Sequence, residues 1–174
     1  MAMECTLKSE MSLSQSKKFS IIDDEGIPIL TASQDPITEG LDSFLNDFTY
    51  VPFTISFKDA LGEVYFSLHK KRSTPFSSTN FVIIFSGGRV KVQEGKRFEM
   101  PNLTMNYMGR QIDLVGRVMD QIFSIQEEKK NLASFTGKRI EKGKEYKIEI
   151  FDESLPLELY FAWAMIIDNL YYDY

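Results

Sequence analysis

Two short basic runs are the residues of this sequence best suited to chemistry. They comprise Lys70, Lys71, Arg72, Lys138, Arg139, Lys142 and Lys144. A lysine ammonium binds phosphate oxygens as a point charge, and an arginine adds a planar fork of donors that matches phosphate geometry. Because both runs follow the second strand of a predicted hairpin, we expect one basic surface that binds anionic groups. The alternative is that these are solvated lysines, which discourage strands from pairing with other sheets.

Catalytic and metal chemistry have few candidates in this chain. It contains one cysteine, Cys5, and one histidine, His69, which excludes a disulfide framework and a thiolate metal site. No nucleophile motif and no phosphate-binding glycine loop occurs. We therefore expect no catalytic residue, no metal and no cofactor, and we interpret His69 as an ordinary strand residue.

Three carboxylates near the carboxyl terminus, Asp152, Glu153 and Glu158, are a conceivable calcium site. Calcium takes six or more oxygen ligands, and three carboxylates separated by Pro156 supply too few. Because the next segment is predicted to form a helix, we expect these side chains to interact with the positive end of its dipole instead.

Composition indicates one globular domain spanning residues 1–174. The chain is 43% hydrophobic, 26% charged and 13% aromatic, with a net charge of −5. Its overall acidity makes general nucleic-acid binding a poor expectation. The start of the chain is polar and lacks a secretory signal pattern, and a single cysteine suits a reducing compartment. We expect a cytoplasmic protein.

Between Phe19 and Phe151 the hydrophobic pattern repeats every second residue, which indicates β-strands. Short polar or glycine-containing turns interrupt it about every eight to twelve residues, as in all-β sandwiches and barrels. The predicted hairpins are FSII/IPIL, FTISF/VYFSL, FVIIF/VKV and IFSIQ/LASFTG, and YKIEIF closes the series. Residues 36–50 interrupt this pattern with helical spacing and are predicted to form a short amphipathic helix.

A helix is predicted over residues 155–172, with Ser154 as its N-cap. Its uninterrupted apolar stretch, Leu159–Ile167, lies between Glu158 and Asp168 and is shorter than the roughly 20 residues of a membrane span. A helix that is apolar on every face must be enclosed. A closed sheet of about twelve strands has a lumen wide enough for one helix. The pattern therefore predicts a mainly β protein, a closed antiparallel barrel around a central hydrophobic helix, with Asp168 paired or at the barrel mouth.

Nearly the whole chain resembles the tubby carboxyl-terminal-like superfamily, particularly the LURP-one-related proteins, and the resemblance is densest after Tyr107. The last helix is also similar to that of phospholipid scramblases. The matching features are a glycine before a hairpin, a basic pair after it, a Tyr-x-Ile-x-Ile strand and an apolar helix ending in Ile-Asp. They fall at Gly116, Lys138, Arg139, Tyr146, Ile148, Ile150, Ile167 and Asp168. The early FSIIDDEGIPIL is similar to the family's first hairpin, and residues 36–50 look like an insertion.

The resemblance implies a twelve-stranded barrel around its last helix and a role in binding rather than catalysis. Eukaryotic tubby domains bind phosphoinositide head groups through basic side chains, and scramblases act at membranes. We therefore expect a non-enzymatic module that binds anionic phospholipid head groups or a membrane surface, peripherally, through the two basic runs. The alternative is a protein-interaction or regulatory module that uses residues 36–50 and the aromatic-rich ends.

Overall fold

The computed structural model describes residues 2–11, 17–34, 53–71, 80–95 and 100–171. Within these ranges the chain forms twelve strands and one helix. The strands are β1 (Met3–Met11), β2 (Lys17–Asp23), β3 (Pro28–Ser33), β4 (Phe53–Lys58), β5 (Val64–Lys70), β6 (Asn80–Phe85), β7 (Gly88–Glu94), β8 (Leu103–Tyr107), β9 (Arg110–Arg117), β10 (Ile122–Glu127), β11 (Lys130–Ile140) and β12 (Gly143–Ile150); the helix is α1 (Leu157–Tyr171).

The strands form one closed antiparallel barrel. Each strand pairs with its neighbours in sequence, and β1 pairs with β12 to close the sheet. Alternation places one face of each strand in the core: on β4, Phe53, Ile55 and Phe57 are buried while Thr54 faces outward. The pairing is thinnest between β3 and β4, which meet only at Thr31 and Lys58. The predicted barrel is confirmed.

The closing strand β1 was not among the predicted hairpins, because its sequence is mixed and polar. Its inward residues are Cys5, Leu7 and Ser9, all of them buried. Two of these three side chains are small or polar, so the strand lacks the run of large apolar residues that marks the others. Its pairing with both β2 and β12 supplies the hydrogen bonds that complete the barrel.

The helix α1 lies inside the barrel. Every residue from Leu159 to Ile167 is at most 1% exposed. A helix packed on an outer face would leave one side in solvent, so burial on every face requires enclosure by the sheet. This confirms the predicted central helix.

The helix begins at Leu157, two residues later than predicted, and Ser154 contacts Arg110 rather than capping it. The last predicted residue, at position 172, and the predicted helix at 36–50 lie outside the described residues. Among the described residues no helix has the length and apolarity needed to cross a membrane.

Two hairpins at one end of the barrel have turns with the same hydrogen-bond pattern. In the β2–β3 turn, Asp23 Oδ1 accepts hydrogen bonds from the backbone N–H groups of Glu25 and Ile27. In the β4–β5 turn, Asp59 Oδ1 accepts from Leu61 and Glu63 in the same pattern. Three residues after each aspartate lies a glycine with positive φ, Gly26 at +84° and Gly62 at +83°.

We call the end of the barrel that carries these two turns the front end. The helix α1 begins at the front end and ends at the opposite end, which we call the back end.

Candidate functional site

Two of the predicted basic residues, Lys70 and Lys144, point into the barrel. Lys70 is 3% exposed, and its Nζ donates to Asn169 Oδ1 at 3.1 Å. Lys144 is 1% exposed, and its Nζ donates to Gln121 Oε1 at 2.8 Å. Both ammonium groups therefore lie beside the carboxyl-terminal end of α1, where the negative end of the helix dipole stabilises a cation. Their placement on an outer binding surface is corrected, because strand alternation turns them inward.

The other predicted residues fall into two separate groups. Lys71 is exposed after β5, and Arg72 lies outside the described residues. Lys138, Arg139 and Lys142 are exposed on and after β11, where Lys138 Nζ forms an ion pair with Glu145 at 2.7 Å.

The two groups lie on opposite sides of the barrel. The strand order places β5 and β11 six strands apart in either direction around a ring of twelve. The expectation of one shared basic surface is therefore corrected. Whether two basic runs form one surface depends on where their strands lie around the closed sheet. Similar positions within two hairpins do not determine this.

A different basic surface is present on β2 to β7. Between the end residues of these strands no carboxylate occurs, and the acidic residues described beside them sit at strand ends and in turns; residues 35–52, which contain four further acidic residues, lie outside the described ranges. The outward side chains combine cations with hydroxyl groups. We call this surface the basic flank; it comprises Lys18, Ser20, Thr31, Ser33, Thr54, Ser56, Lys58, Ser67, His69, Lys71, Arg89 and Lys91.

Two shallow grooves run across the basic flank. One, of about 600 Å³, is lined by Phe53, Val82 and Ile84 together with the polar residues Thr54, His69, Lys70, Lys71 and Arg89. The second, of about 490 Å³, is lined by Lys18, Thr31, Ala32, Ser33, Thr54, Ser56 and Lys58. Thr54 lines both grooves, so they adjoin, and the described lining residues include no carboxylate.

Hydroxyl groups between the two grooves are held in place by pairs across β4 and β5. Thr54 Oγ1 lies 2.9 Å from His69 Nδ1, and Ser56 Oγ lies 2.7 Å from Ser67 Oγ. Fixed hydroxyls beside lysine and arginine side chains can donate to the oxygens of an anionic group. The arrangement can therefore hold phosphate or carboxylate oxygens at more than one point.

Lys18, Lys58, Arg89 and Lys91 were missed by the sequence analysis. Strand alternation offered a signal: Lys18 and Lys91 each lie between two inward residues, and Lys58 and Arg89 each lie between one inward residue and a turn.

Two ion pairs lie at the front end, close to the segment that leads into α1. Arg110 makes two hydrogen bonds to the carboxylate of Glu127, at 2.8 and 2.6 Å, which raise the pKa of Arg110 and lower that of Glu127. A hydrogen bond from Lys130 holds the pKa of Asp152 well below its usual range, aided by bonds from Ser154. Asp152 thus pairs with Lys130 and with the backbone of Ser154, a contact that the sequence analysis, which assigned it to the helix dipole, did not predict.

Two other reactive groups are buried. Burial raises the pKa of the Cys5 thiol to about 12, which keeps the thiolate nucleophile from forming near neutral pH. Burial also raises the pKa of Tyr160 to about 12, and its hydroxyl donates to the Asp152 carbonyl. Among the described residues no group of three or more histidine, cysteine, aspartate or glutamate side chains is placed to hold a metal ion.

Asp168 is paired within the barrel, as predicted. Its side chain is 1% exposed and forms an ion pair with Lys17 at the back end. The alternative interaction surface, residues 36–50, lies outside the described residues and stays a prediction.

Comparison with protein-family models, with curated proteins and with solved structures found no match to this chain.

Proposed function

We propose that the chain is a non-enzymatic binding protein that attaches peripherally to the cytoplasmic face of a membrane. The basic flank contacts anionic phospholipid head groups, with lysine and arginine side chains meeting phosphates and hydroxyls adding donors. The absence of carboxylates from the described strand positions of the flank is the observation that carries this proposal, because the net charge of −5 otherwise disfavours an anionic surface. A basic face near an anionic leaflet gains about 1 kcal/mol per lysine or arginine.

We also propose that the chain is a tubby-like, LURP-one-related protein. A closed barrel of twelve strands with its last helix inside is the architecture that the sequence resemblance implies. The basic flank differs from the two runs that the resemblance indicated, so binding residues are assigned from the structure of this chain.

Vesicle sedimentation tests the binding proposal. Phosphatidylcholine vesicles with and without phosphatidylserine are compared at low salt, and the salt concentration is then raised. We expect binding only to the anionic vesicles, and we expect it to weaken with salt because exposed charges are screened over about 10 Å at 0.1 M.

A matched pair of triple variants tests the location. The flank variant is Lys18→Ala/Lys58→Ala/Arg89→Ala, and the control is Lys138→Ala/Arg139→Ala/Lys142→Ala on the opposite side. Both remove three cations, so their net charges are equal. We expect the flank variant to bind about 100-fold more weakly, from roughly 1 kcal/mol per cation, and the control to bind within a few fold of the parent. Equal losses in both variants, or equal recovery with both vesicle types, would refute the proposal.

A further inference from the structure

The tips of the two matching hairpins combine exposed apolar and acidic side chains. Leu61 is 88% exposed and Ile27 is 54% exposed. Asp24, Glu25 and Glu63 beside them are exposed, and the ion pairs of the described residues include none of the three. Because β3 pairs with β4, the two turns are neighbours at the front end. We call Asp24, Glu25, Ile27, Leu61 and Glu63 the acidic tip.

The larger groove of the basic flank has the complementary character. Ile84, which is 43% exposed, gives it an apolar component, whereas Phe53 and Val82 are buried at 6% and 2%. Lys71 and Arg89 supply cations at the same groove. An apolar side chain flanked by carboxylates therefore matches a groove that combines apolar residues with cations.

The tip and the groove of one molecule are separated along the sheet. Thr54 and His69, which line the groove, are about five residues from the β4–β5 turn, and Ile84 and Arg89, which lie level with Ser67, are about three residues from it. At about 3.3 Å per residue these separations are roughly 10 to 17 Å along the strands, and none of the ion pairs among the described residues joins the tip to the groove. Both surfaces are therefore open to contact between two copies.

We propose that this chain self-associates head to flank, with the acidic tip of one copy seated in the larger basic groove of the next. Leu61 occupies the apolar part of the groove, and Glu25 and Glu63 approach Arg89 and Lys71. The two surfaces differ, so the contact is heterologous, and each added copy presents a free tip and a free groove. The association can therefore continue beyond two copies, and it depends on charge. This proposal does not require that the flank also binds lipid.

Sedimentation velocity over a range of concentrations tests this contact. In low salt we expect the sedimentation coefficient of the parent protein to rise with concentration beyond that of a dimer. We expect association to weaken about tenfold or more between 50 and 500 mM salt, since the Debye length falls severalfold. A parent protein that stays monomeric at every concentration would overturn the proposal.

Two variants give a complementation test. The tip variant is Glu25→Gln/Leu61→Ser/Glu63→Gln, which spares Asp23, Asp59 and the turn glycines, and the groove variant is Lys71→Ala/Arg89→Ala. Each alone is expected to remain monomeric at concentrations where the parent associates. Mixed together, they are expected to form a heterodimer and nothing larger, because the mixture has one intact tip and one intact groove per pair. Failure of the mixture to associate, or growth beyond a dimer, contradicts the heterologous contact.

Matched controls separate this contact from loss of folding and from lipid binding. Arg139→Ala/Lys142→Ala also removes two cations and is expected to associate like the parent. Equal thermal unfolding midpoints establish that the tip and groove variants are folded. The tip variant is expected to bind anionic vesicles like the parent. Self-association without vesicle binding rejects only the membrane proposal, and vesicle binding by a strictly monomeric protein rejects only the head-to-flank contact.

Discussion

Lys17 Nζ lies 3.1 Å from Asp168 Oδ2, which joins the first residue of β2 to the last turns of the enclosed helix. The two side chains are unequally buried, at 17% and 1% exposed. Asp168 depends on a cation supplied by the barrel, because the last turn of α1 contains no basic residue. The ion pair therefore couples the helix to the sheet at the back end.

Removing either partner of this pair is expected to have unequal consequences. Lys17→Met leaves a buried carboxylate without its cation and should lower the free energy of unfolding by about 3 kcal/mol. Asp168→Asn leaves a partly exposed lysine and a neutral amide, and should cost about 1 kcal/mol. Urea denaturation of the two variants measures both values. A smaller loss for Lys17→Met than for Asp168→Asn would contradict the assigned asymmetry.

The enclosed helix can be tested by the fluorescence of Trp163. It is the only tryptophan of the chain and is fully buried. We expect a blue-shifted emission that iodide does not quench, followed by a red shift in one cooperative step on unfolding. Trp163→Phe in the same barrel abolishes the signal and serves as the blank. Quenching of the folded protein by iodide would show that the helix is accessible to solvent.

Truncating the same side chain should be costly. Trp163→Ala removes a large buried aromatic from a closed lumen that cannot collapse, so we expect a loss of about 3 to 5 kcal/mol in the free energy of unfolding. Leu61→Ala, at an 88% exposed turn position, is the control and should change stability by less than about 0.5 kcal/mol. Chemical denaturation compares the two, and similar losses would argue against the buried position of Trp163.

Closure of the barrel depends on Gly143. A Cβ atom there would lie 1.9 Å from the carbonyl oxygen of Ser9 on β1, which is backbone and cannot rotate away. Gly143→Ala should therefore separate β12 from β1 and destabilise the protein by about 2 to 3 kcal/mol. Gly26→Ala has open space but a φ of +84°, so it should cost about 1 to 2 kcal/mol from strain alone. Thermal unfolding ranks the two; a harmless Gly143→Ala would contradict the close approach.

The front-end pair of Lys130 and Asp152 predicts a defined pH dependence. Because the pKa of Asp152 is lower in the folded than in the unfolded state, its contribution is present above the unfolded value, near pH 4, and is lost as pH falls toward the folded value. Lys130→Met should cost less than about 1 kcal/mol at pH 7, because Lys130 is largely exposed. The difference from the parent should shrink below about pH 4.

Lys129→Met is the matched control for that measurement, since Lys129 is exposed in the same turn and has no part in the ion pair. Urea denaturation of the parent and the two variants at pH 7 and at pH 3 gives the six free energies needed. A Lys130→Met deficit that is unchanged at pH 3 would contradict the assignment.

The hairpins, the closed barrel and the enclosed helix were predictable from the sequence by itself. Strand alternation is a local pattern, as in Phe53, Ile55 and Phe57. A helix apolar on every face needs an enclosure, which a long series of hairpins provides. The same alternation, applied further, also places Lys70 and Lys144 inside, because each continues a run of inward residues on its strand.

The location of the basic flank was decided only by the tertiary structure. Lys71 and Lys142 follow equivalent strands in their hairpins, yet β5 and β11 lie on opposite sides of the ring. Lys18 and Arg89, far apart in sequence, share one side through the pairing of β2 to β7. The neighbours of a charge are set by long-range strand pairing and barrel closure, and neither is encoded in the local spacing of the residues that carry the charge.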